Sequence, residues 1–356
     1  MDAKARLPVL CRTRRRYWWK PNCSGTIHGF CGFLYATTFK LSSLKRLENL
    51  RWVIIAPEAE VTKWTAAFKA KQPAIQLEVG PKVEQPESVD ILLLWNHPTG
   101  CLAPFIGVKL YYSLGAGVDH LMKDKGLLPQ VPICRIVDPL LSFSMSNYIL
   151  FAVLHYQRQW DKYTQDRAEK IWDHDAVCER AVKIGILGLG TLGSDAAKKL
   201  QLMGFDVMGY SPSRKALPNI KTYAEGELPA FLAACNVLVC TVPFTPATQG
   251  LLSMPLFKQL KSPTYLINVA RGGVQVEADI LEALNKGYLS GAFLDVFETE
   301  PLPKDSAFWE HPKVQITPHI ASITNPEAGV GQILDNATAV QKGEALQHTV
   351  NSKKGY

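Results

Sequence analysis

No stretch of the 356-residue sequence approaches the roughly 18 to 20 uninterrupted apolar residues that span a bilayer, and the apolar segment at 30–39 is short and broken by Gly and Thr. That predicts a soluble chain with no membrane partner. The eight cysteines, at 11, 23, 31, 101, 134, 178, 235 and 240, include no CxxC pair, and no His stands at metal-ligand spacing. A structural zinc and a disulfide scaffold are both disfavoured, so the expectation is no metal and inert thiols in a reducing compartment. Acid is nearly missing from residues 1–50, which hold ten Lys/Arg against Asp2 and Glu48. The other 306 residues carry 29 Lys/Arg and 30 Asp/Glu, so the net charge of +7 belongs to the leader. The folded body offers no basic field for a phosphate backbone, which argues against nucleic acid as a partner.

The leader is Arg-rich (Arg6, Arg12, Arg14, Arg15, Arg16) and contains seven Ser/Thr, a composition that suits an organellar transit peptide or a disordered segment. Tyr17, Trp18 and Trp19 interrupt the Arg run, so stacking on a nucleic-acid strand stays open for this segment alone. The expected location is cytoplasmic, or mitochondrial or plastid if the leader is a transit peptide.

With 47% hydrophobic residues the remainder can bury ordinary cores, and its length favours two domains. Short apolar runs at 52–56, 75–79, 91–95 and 109–114 precede an apolar helix near 144–160. A denser set follows at 183–187, 206–210, 237–242, 265–269, 291–296 and 314–316. Runs of this length alternating with helical patterns read as βαβ units, predicting an α/β fold with two Rossmann-like parallel-sheet domains. A ligand belongs in the cleft between them.

The segment Gly188-Leu189-Gly190-Thr191-Leu192-Gly193 follows the run at 183–187 and opens a helical pattern, with a new strand beginning near 205. Strand, G-x-G-x-x-G, helix and strand stand in the order of a dinucleotide-binding unit. Gly188 permits the tight turn, Gly190 lets backbone approach the pyrophosphate, and Gly193 lets the helix pack against its strand. The helix N-terminus then faces the phosphates. An NAD site wants a carboxylate about 20 residues on, to hold the ribose 2′-hydroxyl. The second strand instead runs into Ser211, Pro212, Ser213, Arg214 and Lys215. Two hydroxyls and two cations fit a 2′-phosphate, so NADP(H) is preferred and NAD(H) remains possible.

Three more stretches end at strand termini: Asn268-Val269-Ala270-Arg271-Gly272-Gly273, Leu294-Asp295-Val296-Phe297-Glu298-Thr299-Glu300-Pro301, and Thr317-Pro318-His319-Ile320-Ala321. Together with the glycine motif they resemble the D-isomer-specific 2-hydroxyacid dehydrogenase family over residues 51–356, whose Arg, Glu and His match Arg271, Glu300 and His319. Leu114-Gly115-Ala116-Gly117-Val118-Asp119, Trp95 before His97-Pro98, the run from Pro318 to Thr324 and the terminal Gly355-Tyr356 are most similar to the glyoxylate/hydroxypyruvate reductase A branch.

The resemblance implies a flavodoxin-like substrate domain (51–145 plus 325–356), a cofactor domain (146–324) and reduction of a small 2-oxo acid by hydride transfer. His319 becomes the general acid, and Glu300 orients its ring and stabilises imidazolium. Arg271 polarises the carbonyl and holds the substrate carboxylate. Gly115, Ala116 and Gly117 offer backbone N–H groups to the same carboxylate, Leu114 is implied beside the substrate with them, and Trp95 walls the pocket or sits in the core. Val242, Pro243, Ala270 and Asp295 are implied beside the cofactor, with a strand-end brace as the second reading of Asp295. A homodimer through the long apolar helix is implied as well. Two positions depart from the family pattern: Asn147 stands where a Glu is common, and Asn325 where close relatives carry Arg. The rivals are another dehydrogenase of this fold, such as a phosphoglycerate or formate dehydrogenase, and a non-catalytic dinucleotide-sensing scaffold of the corepressor type.

Overall fold

In a computed structural model of the chain the described residues are 47–174, 179–261 and 263–351. The expected leader at 1–50 therefore lies outside them up to residue 46, as does the terminal Gly355-Tyr356.

The first sheet is built from β1 (Trp52–Ile55), β2 (Leu77–Val79), β3 (Ile91–Leu94), β4 (Leu110–Ser113) and β5 (Ile133–Arg135), all parallel, in the order β2-β1-β3-β4-β5. Every residue of β1, β3 and β4 is buried. A parallel sheet covered on both faces demands such unbroken apolar strands rather than alternating ones. On one face Trp52, Trp64 and Phe68 pack with Val330, Ile333 and Ala337 of the helix Pro326–Lys342, so the end of the chain returns to this sheet. Leu47 is buried in the same cluster and its carbonyl accepts from Trp52 Nε1 at 3.1 Å.

The second sheet holds β6 (Lys183–Leu187), β7 (Asp206–Tyr210), β8 (Lys221–Tyr223), β9 (Val237–Cys240), β10 (Thr264–Asn268), β11 (Leu289–Leu294) and β12 (Val314–Ile316). All are parallel, in the order β12-β11-β10-β9-β6-β7-β8. The chain turns from β6 to β7 and β8 on one side and to β9 through β12 on the other. The carboxyl ends of β6 and β9 thus frame the crevice where open α/β sheets bind ligands.

Two three-residue strands, β5 and β8, add to the expected set. The apolar helix runs Pro139–Gln157, starting five residues before the expected 144. Asp138 caps it by accepting from Leu140 N–H at 2.9 Å, and Pro139 occupies the first turn, where its missing N–H costs nothing. Gln159, at φ 55°, ends the run, and a separate helix Trp160–Glu169 follows. Among the described residues no helix is long and apolar enough to cross a membrane.

Candidate active site

The glycine loop joins β6 to the helix Thr191–Leu202. Gly188 has φ +112°, a region that L side chains rarely enter. A Cβ on Gly193 would lie 2.0 Å from the Gly188 carbonyl oxygen, whereas one on Gly190 would meet nothing within 4 Å. Close helix packing at one glycine and an open face at another form a cradle that fits a pyrophosphate at a helix N-terminus. Leu189 is buried beneath this loop, so its side chain belongs to the core. Thr191 and Leu192 open the helix, and Val242 and Pro243 follow β9 beside the loop, with the Val242 amide 2.9 Å from where a Gly188 Cβ would stand.

At the end of β7, Ser211 is buried and its hydroxyl donates to the Ser213 carbonyl at 2.7 Å. Arg214 is turned onto the protein, with Nη1 on the Thr222 carbonyl at 2.7 Å and Nη2 on Glu227 Oε2 at 2.5 Å. Lys215 is exposed and forms no ion pair among the described residues. Of the two expected cations, Arg214 therefore shares its guanidinium between Glu227 and any 2′-phosphate.

His319 stands after β12 with its Nδ1 2.8 Å from Glu300 Oε2, the two side chains 34% and 36% exposed. Burial pushes the Glu300 carboxyl up, but its hydrogen bonds to His319 and to the Phe297 N–H outweigh this and hold it below its ordinary value. The carboxylate thus fixes Nδ1 and leaves Nε2 for a substrate. His319 has φ +56°, strain that persists only where the surroundings impose it. Asp295 imposes it. Its backbone carbonyl accepts from His319 N–H at 2.8 Å, and its carboxylate accepts from Ile320 and Ala321 N–H at 2.8 and 2.9 Å and from the Thr317 hydroxyl at 2.6 Å. Tyr148 in turn bonds the Thr317 hydroxyl. Asp295 is 1% exposed, and both its oxygens are engaged in bracing this turn. Of its two expected roles, these bonds match the brace.

Arg271 follows β10 and reaches the loop after β4. Its Nε donates to Asp119 Oδ1 at 3.0 Å, its Nη1 to the Ala270 carbonyl at 2.7 Å, and its Nη2 lies 1.9 Å from where a Cβ on Gly117 would be. A side chain at position 117 would therefore displace the guanidinium from this place. Burial raises the Asp119 carboxyl, yet the Arg271 charge and hydrogen bond override it and hold it below its ordinary value. Ala116 and Gly117 donate no backbone hydrogen bond among the described residues, while Leu114 N–H is spent on the Leu94 carbonyl and its side chain is buried. Gly115 N–H donates to Ser113 Oγ at 3.4 Å, so the amides left open in this loop are those of Ala116 and Gly117. Trp95 lies against Gly115, whose added Cβ would stand 2.3 Å from the indole, and edge-on to His120 at 4.9 Å. Burial pushes the His120 imidazole down to about 4 against the pull of Asp119. Asn325 caps the helix Pro326–Lys342 by accepting from Glu327 N–H at 3.0 Å.

Asp119 and His120 were not among the expected site residues. Their sequence signal was adjacency to the glycine loop, but the partner of Asp119 lies 152 residues away.

Known proteins resemble the chain over most of its length. The family model described as D-isomer specific 2-hydroxyacid dehydrogenase, NAD binding domain, matches residues 150–321. A glyoxylate/hydroxypyruvate reductase A of Photorhabdus laumondii is 36% identical over 307 residues, covering 84% of this chain and 98% of the relative. One from Serratia proteamaculans is 38% identical over 308 residues with the same coverage. Among solved structures, the NADPH-dependent glyoxylate/hydroxypyruvate reductase of Sinorhizobium meliloti in complex with NADP and sulfate superimposes with a TM-score of 0.80 at 34% identity, covering 86% of this chain and all of that one. A D-isomer specific 2-hydroxyacid dehydrogenase of Xanthobacter autotrophicus in complex with NADPH gives 0.79 at 36% identity, covering 86% and 99%.

Proposed function

The chain belongs to the D-isomer-specific 2-hydroxyacid dehydrogenase family, and we propose that it reduces small 2-oxo acids with NADPH, taking glyoxylate to glycolate and hydroxypyruvate to D-glycerate. The observation that carries this reading is the aligned Glu300–His319 pair, which leaves one imidazole nitrogen facing outward. Bound dihydronicotinamide supplies the hydride. The chain then has to deliver one proton to the carbonyl oxygen, and His319 Nε2 in its protonated form does so while Glu300 holds the imidazolium in orientation. Arg271 fixes the substrate carboxylate and draws electron density from the carbonyl, positioned by Asp119 and admitted by Gly117. The Ala116 and Gly117 amides complete the carboxylate cradle, and Trp95 limits the pocket to small acids.

NADPH over NADH is supported by Ser211, Ser213, Arg214 and Lys215 at the end of β7, and by relatives whose complexes hold NADP or NADPH. A substrate domain of 51–145 with 325–356 is supported by the return of Pro326–Lys342 to the first sheet, and the cofactor domain is 146–324. A homodimer is supported by the exposure of Leu140, Phe143 and Phe151 along Pro139–Gln157, and light scattering tests it. Organellar import depends on the leader, and sequencing of the mature N-terminus tests it.

The decisive experiment follows NADPH and NADH oxidation by the purified chain with glyoxylate, hydroxypyruvate and pyruvate. Rapid NADPH turnover with the first two is expected. Tight NADPH binding without turnover on any of them overturns the reading in favour of a dinucleotide-sensing scaffold.

A further inference from the structure

A second histidine–carboxylate pair lies in the loops of the first sheet. His97 and Cys101 belong to the segment after β3, and Asp124 follows the short helix Asp119–Met122. The His97 imidazole, the Cys101 thiol and a carboxylate oxygen of Asp124 each bring one donor atom within 4.8 Å of the others. The side chains of His97 and Asp124 are 0% exposed. Asp124 is accounted for: Oδ2 accepts from Gly100 N–H at 2.8 Å and Oδ1 from Gly126 N–H at 2.7 Å. His97 is not. Its Nε2 lies 3.3 Å from Asp124 Oδ2 without hydrogen-bonding alignment, and neither ring nitrogen has a hydrogen-bond partner. A sealed imidazole with two unmet nitrogens, aimed at a thiol and a carboxylate, calls for an ion between them.

We propose that His97, Cys101 and Asp124 form a binding site for a divalent transition-metal ion of the zinc class. The donors are one nitrogen, one sulfur and one oxygen, a mixture that suits zinc and excludes magnesium and calcium, which take oxygen ligands. Tetrahedral zinc, with bonds of about 2.0 to 2.3 Å, sets its donors roughly 3.3 to 3.8 Å apart. His97 Nε2 and Asp124 Oδ2 already stand at 3.3 Å, and Cys101, the most accessible of the three, closes on them. A thiolate and a carboxylate neutralise the dication, so binding expels the thiol proton to solvent and leaves no net charge in the sealed pocket. The carboxylate is held in place by Gly100 and Gly126, as an outer shell should hold a ligand. The site stands behind the pocket wall, since the His97 ring is 5.7 Å from His120 and His120 packs on Trp95. An ion there stiffens the wall without touching substrate.

The full chain, stripped with a chelator, is titrated with cobalt(II) and then zinc(II) while absorbance is followed. One cobalt per chain, with a thiolate-to-cobalt charge-transfer band that zinc bleaches, is expected. Cys101→Ser, at the accessible ligand, abolishes the band with the circular dichroism unchanged. His97→Gln weakens cobalt binding by more than the about 10- to 100-fold that loss of an outer-shell partner costs. No charge-transfer band with the folded wild-type chain overturns the proposal, and so does a band that survives in Cys101→Ser. Because the readout is optical, either result is independent of reductase activity.

Discussion

Each sheet ends in a histidine beside a carboxylate, and the two pairs differ in access and alignment. His319 meets Glu300 at 2.8 Å in good alignment, about one-third exposed, on a turn strained to φ +56°. His97 meets Asp124 at 3.3 Å, sealed and misaligned. Alignment with exposure leaves one nitrogen for substrate and a route for the proton to water. Sealing removes that route, so the same two residue types on the first sheet cannot serve as an acid in turnover. What separates them is the support: Asp295 spends its whole carboxylate bracing the His319 turn, whereas Asp124 spends its own on two loop glycines and leaves His97 unmet.

The sharpest way to break this comparison is to remove each imidazole. His319→Ala should lower kcat by about 10²- to 10⁴-fold, while His97→Ala should lower it less than tenfold and act chiefly on the melting temperature. Equal losses of turnover would show that access does not separate the pairs. Next in size is Asp119→Asn. A hydrogen bond to a charged group is worth about 1.5 to 3 kcal/mol, so loosening Arg271 should cost about 10- to 100-fold in kcat/KM. Because Asp119 acts through Arg271, the 2-oxo acid KM should rise while the NADPH KM holds. A proportional loss with every ligand would make Asp119 a merely structural residue.

Acid stability sharpens the contrast at smaller scale. Burial lowers the folded-state pKa of His120 from 6.5 to about 4, so between those values the unfolded chain binds more protons than the folded one. Stability is therefore present above pH 6.5 and lost as pH falls toward 4. Replacing His120 with Gln should flatten the fall of melting temperature over that window. A slope that is unaltered in His120→Gln would place the acid sensitivity elsewhere.

The legible parts of the fold were those whose demands are local. Both-face burial writes itself as the continuous apolar runs of β1, β3 and β4, and the steric needs of a phosphate loop fall on Gly188, Gly190 and Gly193 within six residues. β5 and β8 are three residues long and each includes a cation, Arg135 and Lys221, so neither leaves an apolar run, and Pro139 with its Asp138 cap moved a helix start that apolarity alone put at 144. Arg271, Glu300 and His319 stood out only because the stretches that hold them resemble one family's motifs, since each residue alone reads as a surface ion pair, a loop acid or a buried histidine. Asp119 did not, since what gives it meaning is a guanidinium 152 residues on. The cluster of His97, Cys101 and Asp124 escaped for the same reason, because its third member is contributed by another loop and no short spacing announces it.

Arg214 carries the smallest expected effect and tests whether an exposed pair matters at all beside the two histidine pairs. Its guanidinium is engaged by Glu227 and the Thr222 carbonyl, so a 2′-phosphate has to compete with a carboxylate for the same nitrogen. Solvent screens such an exposed pair, and its release is cheap. Glu227→Gln should lower the NADPH KM by about two- to fivefold and leave the NADH KM unchanged, since NADH brings no phosphate to the vacated guanidinium. Arg214→Ala should act in the opposite direction, and only on NADPH. Parallel changes with both cofactors would mean that Arg214 is a brace for the β7–β8 turn, and the 2′-phosphate would then fall to Lys215 and Ser213.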